Sequence, residues 1–289
     1  INDFGDYFWM YILHDQPHVY TTYFYTYGSD RFSKKFKILL TLIPITIFCI
    51  LLSMYDFGKP IYVSMLLAHY SIFHFIKQQA AWFFISAARH QRSSVSRLID
   101  KFTIYSCIAG PALLSMMEGI GKSGWRTEAD LIVLPNYLKY PVWIIAGISI
   151  SAYLINQILE YTKRNQINWG KHFHLINGAL IWIVYRLEPF PKAAVFGLLL
   201  LVFGHSTPYL FLGKKYVASR KEKGERFVAL LSSPKLMLPF LIICTMLLSY
   251  SEVEIRNFAG GNIVIRSLLL TFVLTHFTID SFFWRSDLH

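Results

Sequence analysis

The stretch Thr275-His276-Phe277-Thr278-Ile279-Asp280-Ser281-Phe282-Phe283-Trp284-Arg285 closes the last long apolar run of the chain. On a helix, His276 and Asp280 lie one turn apart on one face. An imidazole and a carboxylate inside an apolar helix are costly unless they have partners. A run that holds such a pair among apolar neighbours and ends on Trp and Arg reads as a membrane helix with a polar site built into it. This sets the fold class as all-α, a polytopic integral-membrane helical bundle. The other histidines are the first places to look for partners.

Composition agrees. The 289 residues are 54% hydrophobic and 17% aromatic, with only 16% charged, and mean hydropathy is +0.41. A soluble domain of this length carries more charge and fewer apolar runs. The formal charge of +11 does not call for nucleic acid, because Lys and Arg are what cytoplasmic membrane loops collect. Cys49, Cys107 and Cys244 fall inside apolar runs, without metal-type spacing, and read as packing residues rather than a disulfide framework. No cleavable signal peptide is legible. The chain opens on Ile1 rather than Met, so residues upstream are expected.

Nine apolar segments reach the roughly 20 residues needed to span a bilayer. They lie near 7–27, 36–55, 61–88, 98–118, 141–161, 172–187, 193–212, 236–251 and 264–284. The first is interrupted by His14-Asp15-Gln16-Pro17-His18 and is expected to kink at Pro17. With the N-terminus outside, the inner connections and tail hold 19 Lys and Arg, Lys171 among them, against 7 in the outer connections. That asymmetry puts the C-terminus in the cytoplasm. The localisation implied is the bacterial inner (cytoplasmic) membrane. The outer loop 119–140 is expected to cap the surface. No repeat or second domain is visible, so residues 1–289 read as a single transmembrane domain.

Polar residues then recur inside the spans. His14 and His18 share a face, as do His74 and Gln78, and as do His276 and Asp280. His205 precedes Ser206, Pro208 and Tyr209. The four segments carrying these groups all run from outside to inside. Their polar residues fall from the middle to the inner half, so they are expected to meet at one depth. Imidazole with added carboxylate suits iron, zinc or manganese. The metal ligands expected are His14, His18, His74, Gln78, His205, His276 and Asp280, around one or two ions. Iron is favoured, with Zn or Mn as alternatives. Tyr209 is the candidate catalytic hydrogen-bond donor. His69, His90 and His172 read as helix-packing histidines. Lys77 is expected to snorkel or to pair with Asp280 or Glu118. Asp100 is expected to pair with its helix neighbours Arg97 or Lys101.

Four stretches carry a resemblance: Pro17-His18-Val19-Tyr20-Thr21-Thr22-Tyr23, His74-Phe75-Ile76-Lys77-Gln78, His205-Ser206-Thr207-Pro208-Tyr209-Leu210, and His276 through Arg285. Together they resemble a set of largely uncharacterised bacterial polytopic membrane proteins with one histidine motif per odd-numbered helix. Ser71-Ile72-Phe73-His74-Phe75 is distantly similar to a histidine motif of the membrane carotene-cleaving dioxygenases. That similarity implies histidine-held iron at His74.

The resulting expectation is an integral-membrane, non-haem iron oxidoreductase of oxygenase or desaturase type acting on a lipid or isoprenoid. No electron-donor domain is legible, so a donor protein is expected as partner. Two alternatives stay open. One is a non-enzymatic subunit of a larger membrane complex, with histidines packing helices or ligating a pigment or haem. The other is a proton-coupled transporter with His276 and Asp280 as relay.

Overall fold

Short polar side chains open several of the helices. Asn262 Oδ1 accepts from the backbone N–H groups of Val264 and Ile265 at 3.0 and 3.2 Å. Ser93 Oγ accepts from Ser96 N–H at 3.1 Å, and Asn168 Oδ1 from Lys171 N–H at 3.1 Å. These bonds satisfy amides that a helix start leaves open. Gly58 (φ 67°) and Asn165 (φ 51°) take the left-handed conformation, which terminates a helix and which glycine and asparagine adopt most readily.

The computed structural model describes residues 16–27, 34–88, 93–118, 131–186, 204–206, 208–209, 243–244, 246–248, 250–251, 254–255 and 261–283. Among the described residues the fold is all-helical, with no strand. The helices are α1 (Gln16–Tyr27), α2 (Lys34–Asp56), α3 (Pro60–Ala87), α4 (Ser94–Glu118), α5 (Lys139–Arg164, entered through a 3-10 turn at Asn136–Leu138), α6 (Trp169–Arg186) and α7 (Ile263–Phe283). Helices α2 to α7 match the apolar segments predicted at 36–55, 61–88, 98–118, 141–161, 172–187 and 264–284 to within about four residues, a usual error for helix ends. The segments at 193–212 and 236–251 are described only in short helical pieces. Pro17 falls in the first turn of α1. The residues before Gln16, where the expected kink would show, lie outside the described residues.

Three described helices are long and apolar enough to cross a membrane: Lys37–Asp56, Asn136–Lys163 and Ile263–Asp280. The described residues thus supply three such helices rather than nine. Helices α3 and α4 are as long, at 28 and 25 residues, but they are more polar. Lys77, Gln78 and Gln79 interrupt α3, and Arg97, Asp100 and Lys101 interrupt α4. The outer faces of α2 and α5 are apolar and exposed at Ile38, Leu42, Ile45, Ile144, Ile148 and Ile155. Apolar faces of this extent belong against lipid, where helices keep their backbone bonds satisfied internally. This marks a membrane protein.

The chain forms two compact units, residues 1–67 with 205–289, and residues 68–204. In the first, α1 and α2 pack on α7. Tyr23 Oη donates to Phe272 O at 2.5 Å and Tyr27 Oη donates to Leu40 O at 2.6 Å, tying α1 to α7 and to α2. In the second, α4 packs against α5 and α6 around Phe83, Ile104, Ile108 and Tyr153. Small residues permit close approach there: a Cβ on Gly178 would meet Ile108 at 3.1 Å. Thr103 Oγ1 donates to Ser149 O at 2.9 Å across α4 and α5, the kind of bond worth about 0.6–2 kcal/mol between helices in lipid.

The tail of the expected outer cap folds back within this unit. Leu131 packs on Ala68, Leu134 N–H donates to Met116 O at 2.9 Å, and Ile132 N–H donates to His69 Nε2 at 3.3 Å. His69 is thus a packing histidine, as expected. His172 is too: its Nδ1 lies 3.0 Å from Tyr153 Oη. Lys77 stands over the rings of Phe73 and Tyr105, each at 5.9 Å.

Asp100 corrects an expectation. Its partner is not Arg97 or Lys101, which are exposed, but Lys171 at 2.8 Å. The carboxylate is on the buried face of α4, away from those two exposed side chains. Lys171 had been counted among the inner loop cations, yet it is 1% exposed in the first turn of α6.

Candidate metal centre

The first unit brings three short segments together around buried polar groups. Helix α1 contributes His18 and Thr22, one turn apart. Helix α7 contributes His276 and Asp280, also one turn apart. The helical residues 205–206 and 208–209 contribute His205, Ser206 and Tyr209. All seven are buried. The reason is local: each pair lies on the inward face of its helix, at a spacing of four.

The histidines touch. His18 Nε2 lies 3.0 Å from His205 Nε2, with ring centroids 4.5 Å apart and planes perpendicular. His18 and His276 have ring centroids 4.8 Å apart, and each offers a nitrogen within 4.8 Å of the other's. His18 Nδ1 is 3.4 Å from Ser206 Oγ. His276 Nε2 lies 3.9 Å from Asp280 Oδ2. That is too long for a hydrogen bond, but shorter than the roughly 4.2 Å that two metal–ligand legs of about 2.1 Å can span.

Thr22 is the hub. Its Oγ1 is 2.7 Å from His276 Nδ1 and 3.2 Å from Asp280 Oδ1, and it makes a short hydrogen bond with Tyr209 Oη. Tyr209 Oη is itself 3.1 Å from Asp280 Oδ1. Each hydroxyl has one proton and an ionised carboxylate only accepts. One hydroxyl therefore donates to the other. Thr22 Oγ1 also faces His18 O at 3.3 Å, so its single proton has several acceptors in reach. Where that proton goes to Tyr209, Asp280 or His18 O, His276 Nδ1 donates to Thr22 and the lone pair lies on Nε2. A ring nitrogen held in this way is what a metal ligand requires.

The donor chemistry fits a cation. Two nitrogens each about 2.05 Å from one ion are about 2.9–3.4 Å apart, and the His18–His205 separation of 3.0 Å lies in that range. Buried histidines with an adjacent carboxylate suit iron, zinc or manganese rather than calcium or magnesium. The chain thus holds a buried histidine cluster that could bind a metal ion.

Of the site residues expected from sequence, the first unit gathers His18, His205, Tyr209, His276 and Asp280. His74 and Gln78 stand one turn apart on α3 in the second unit, both 5% exposed. His14 lies outside the described residues. Sequence reasoning missed Thr22. The available signal was a polar stripe, His18, Thr22 and Thr26, at spacings of four through an aromatic helix. Thr26 Oγ1 turns back to Thr22 O at 2.7 Å, so Thr22 alone of the two threonines reaches the cluster. Comparison with protein-family models, with curated proteins and with solved structures finds no match to this chain.

Proposed function

We propose that this chain is an integral-membrane metalloprotein in which His18, His205, His276 and Asp280 hold a non-haem metal ion, iron by preference, for oxidoreductase chemistry on a lipid or isoprenoid. The observation that carries the reading is the buried contact of His18 with His205 and with His276, beside Asp280 at 3.9 Å from His276 Nε2. The ion would supply redox and Lewis-acid chemistry that no side chain here provides. The residues do the rest. His18 and His276 present nitrogens, Asp280 adds negative charge, and Tyr209 holds a phenolic proton directed along the chain to Asp280. Burial excludes bulk water from all of them. An apolar substrate would enter sideways from the bilayer, and electrons would come from a donor protein. The proposal also takes in nine spans, an outer N-terminus, and a place in the bacterial cytoplasmic membrane. His74 and Gln78 remain proposed as ligands on the sequence reading, and loss of metal in His74→Ala would add His74 to the set.

One observation bears on the alternatives. The 3.0 Å between His18 Nε2 and His205 Nε2 is shorter than the roughly 4 Å that two axial nitrogens need across a haem or chlorophyll plane. A pigment between these two rings is therefore disfavoured. The hydroxyl chain from His276 to Asp280 is also the arrangement a proton relay would use, so the transporter reading is the second choice.

The test is oxygen consumption by the iron-loaded protein in isoprenoid-containing nanodiscs with a chemical reductant. Uptake that depends on both lipid and Asp280 is the expected result. No uptake by a fully metal-loaded sample would remove the oxidoreductase reading. Proton flux in metal-free protein, abolished by Asp280→Asn, would replace it with the transporter.

A further inference from the structure

The second unit carries a charged cluster that the metal centre does not use. Lys171 Nζ lies 2.8 Å from Asp100 Oδ1, and the two side chains are 1% and 0% exposed. The ring of Tyr153 lies 5.0 Å from the same ammonium. Glu160 of α5 stands farther off, with Oε2 at 3.8 Å from Lys171 Nζ, outside hydrogen-bond range. Its Oε1 accepts from the Ser96 hydroxyl, and Ser96 Oγ accepts from Asn156 Nδ2 at 3.0 Å. Two carboxylates therefore face one ammonium. Glu160 shares the ammonium with Asp100 at the longer distance, so it is the more weakly paired of the two carboxylates on Lys171.

Glu160 is the member of the cluster that opens outward, at 24% exposure. It gives onto a cavity of about 260 Å³ that Lys171, Gln157, Leu154 and Ile158 also line. Leu154, Gln157 and Ile158 are spaced three and four apart, so they form one face of α5. Gln157 Nε2 is buried there with no hydrogen-bond partner among the described residues. A half-turn of that amide presents its oxygen instead, since the two ends are interchangeable in shape. The cavity thus combines one carboxylate whose nearest ammonium is 3.8 Å away and shared with Asp100, one unused amide and an apolar wall. It lies near the end of the apolar span Asn136–Lys163. Trp169, close by in the chain, is 72% exposed, as an aromatic side chain at headgroup depth would be.

We propose that this cavity binds a primary ammonium group, with Glu160 as its counter-ion and Gln157 as a hydrogen-bond partner. Charge selects the ligand, because the charged group that opens to the cavity is the Glu160 carboxylate, at 24% exposure, while the Lys171 side chain is 1% exposed. The N–H donors select further. A primary ammonium can bond both Glu160 Oε2 and the Gln157 amide oxygen, whereas a quaternary choline can bond neither. A free alkylamine and the ethanolamine headgroup of a phospholipid share this chemistry.

The experiment uses the full chain in nanodiscs of choline-headgroup lipid and follows the thermal unfolding midpoint. One arm adds ethanolamine to solution; the other replaces part of the lipid with ethanolamine-headgroup lipid. A ligand that binds only the folded state raises the midpoint. The wild type is expected to gain stability in at least one arm, and the arm that responds identifies the source. Glu160→Gln is expected to lose that gain. Gln157→Leu is expected to weaken amine affinity about tenfold, and serves if Glu160→Gln does not fold. The proposal is overturned by no gain in either arm, by an equal gain with neutral ethylene glycol, or by a gain that survives Glu160→Gln or, where that variant does not fold, Gln157→Leu.

Discussion

Replacing Thr22 by valine removes one hydroxyl and keeps the branched shape of the side chain. The hydroxyl faces Tyr209, His276 Nδ1, Asp280 and the His18 carbonyl in the native arrangement. Valine removes all four contacts together. Tyr209 can still donate to Asp280 at 3.1 Å, so the carboxylate keeps one bond. His276 Nδ1 loses its hydrogen-bond partner at 2.7 Å. Loss of such an outer partner typically lowers metal affinity 10–100-fold, which is about 1.4–2.7 kcal/mol. A buried N–H left without an acceptor adds about 1–3 kcal/mol of destabilisation in the folded state. The assay is competition with a chromophoric chelator, beside the visible spectrum of the cobalt-loaded protein, which reports ligand geometry. Thr22→Val is expected to bind the ion 10–100-fold more weakly and to shift the cobalt bands, and Thr22→Ser is expected to restore both. Wild-type affinity and an unshifted spectrum in Thr22→Val would refute the orienting role given to Thr22, whatever the wild type binds.

Three further outcomes are expected. Lys171→Met removes the ammonium 2.8 Å from the buried Asp100 carboxylate and should destabilise the fold by about 3–5 kcal/mol in denaturant unfolding, with the double variant Lys171→Met/Asp100→Asn recovering much of the loss. Asn262→Ala should cost about 1 kcal/mol, because it removes the acceptor for two amides at the start of α7. A fluorescent reporter fused to the C-terminus should light up on the cytoplasmic side; a silent C-terminal fusion beside an active N-terminal one would reverse the proposed orientation.

The helices were legible because apolar run length is a direct physical requirement of a bilayer, and α2, α5 and α7 carry it plainly. The pairing of His276 with Asp280 was legible because a spacing of four means one face. His205 and Tyr209 were legible as polar breaks in an apolar run. Thr22 was not, because a threonine in Thr21-Thr22-Tyr23-Phe24-Tyr25-Thr26 carries no charge and fits a lipid-facing helix as well as a site. Lys171 was misplaced for the opposite reason. A lysine beside an interhelical turn looks solvated, and nothing local shows that Asp100, 71 positions earlier, sits across from it. Partners distant in sequence are set by helix packing, which a pattern of residue types does not encode.

The central claim is that the histidine cluster holds a metal ion, and elemental analysis of the purified wild type beside His276→Ala tests it most directly. Both samples must be shown to be helical and monodisperse. The account predicts about one ion per wild-type chain, or two if ligands are shared, and a loss of most of it in His276→Ala. Less than about 0.2 ion per chain in the wild type after metal-replete preparation, or equal content in the variant, would contradict it.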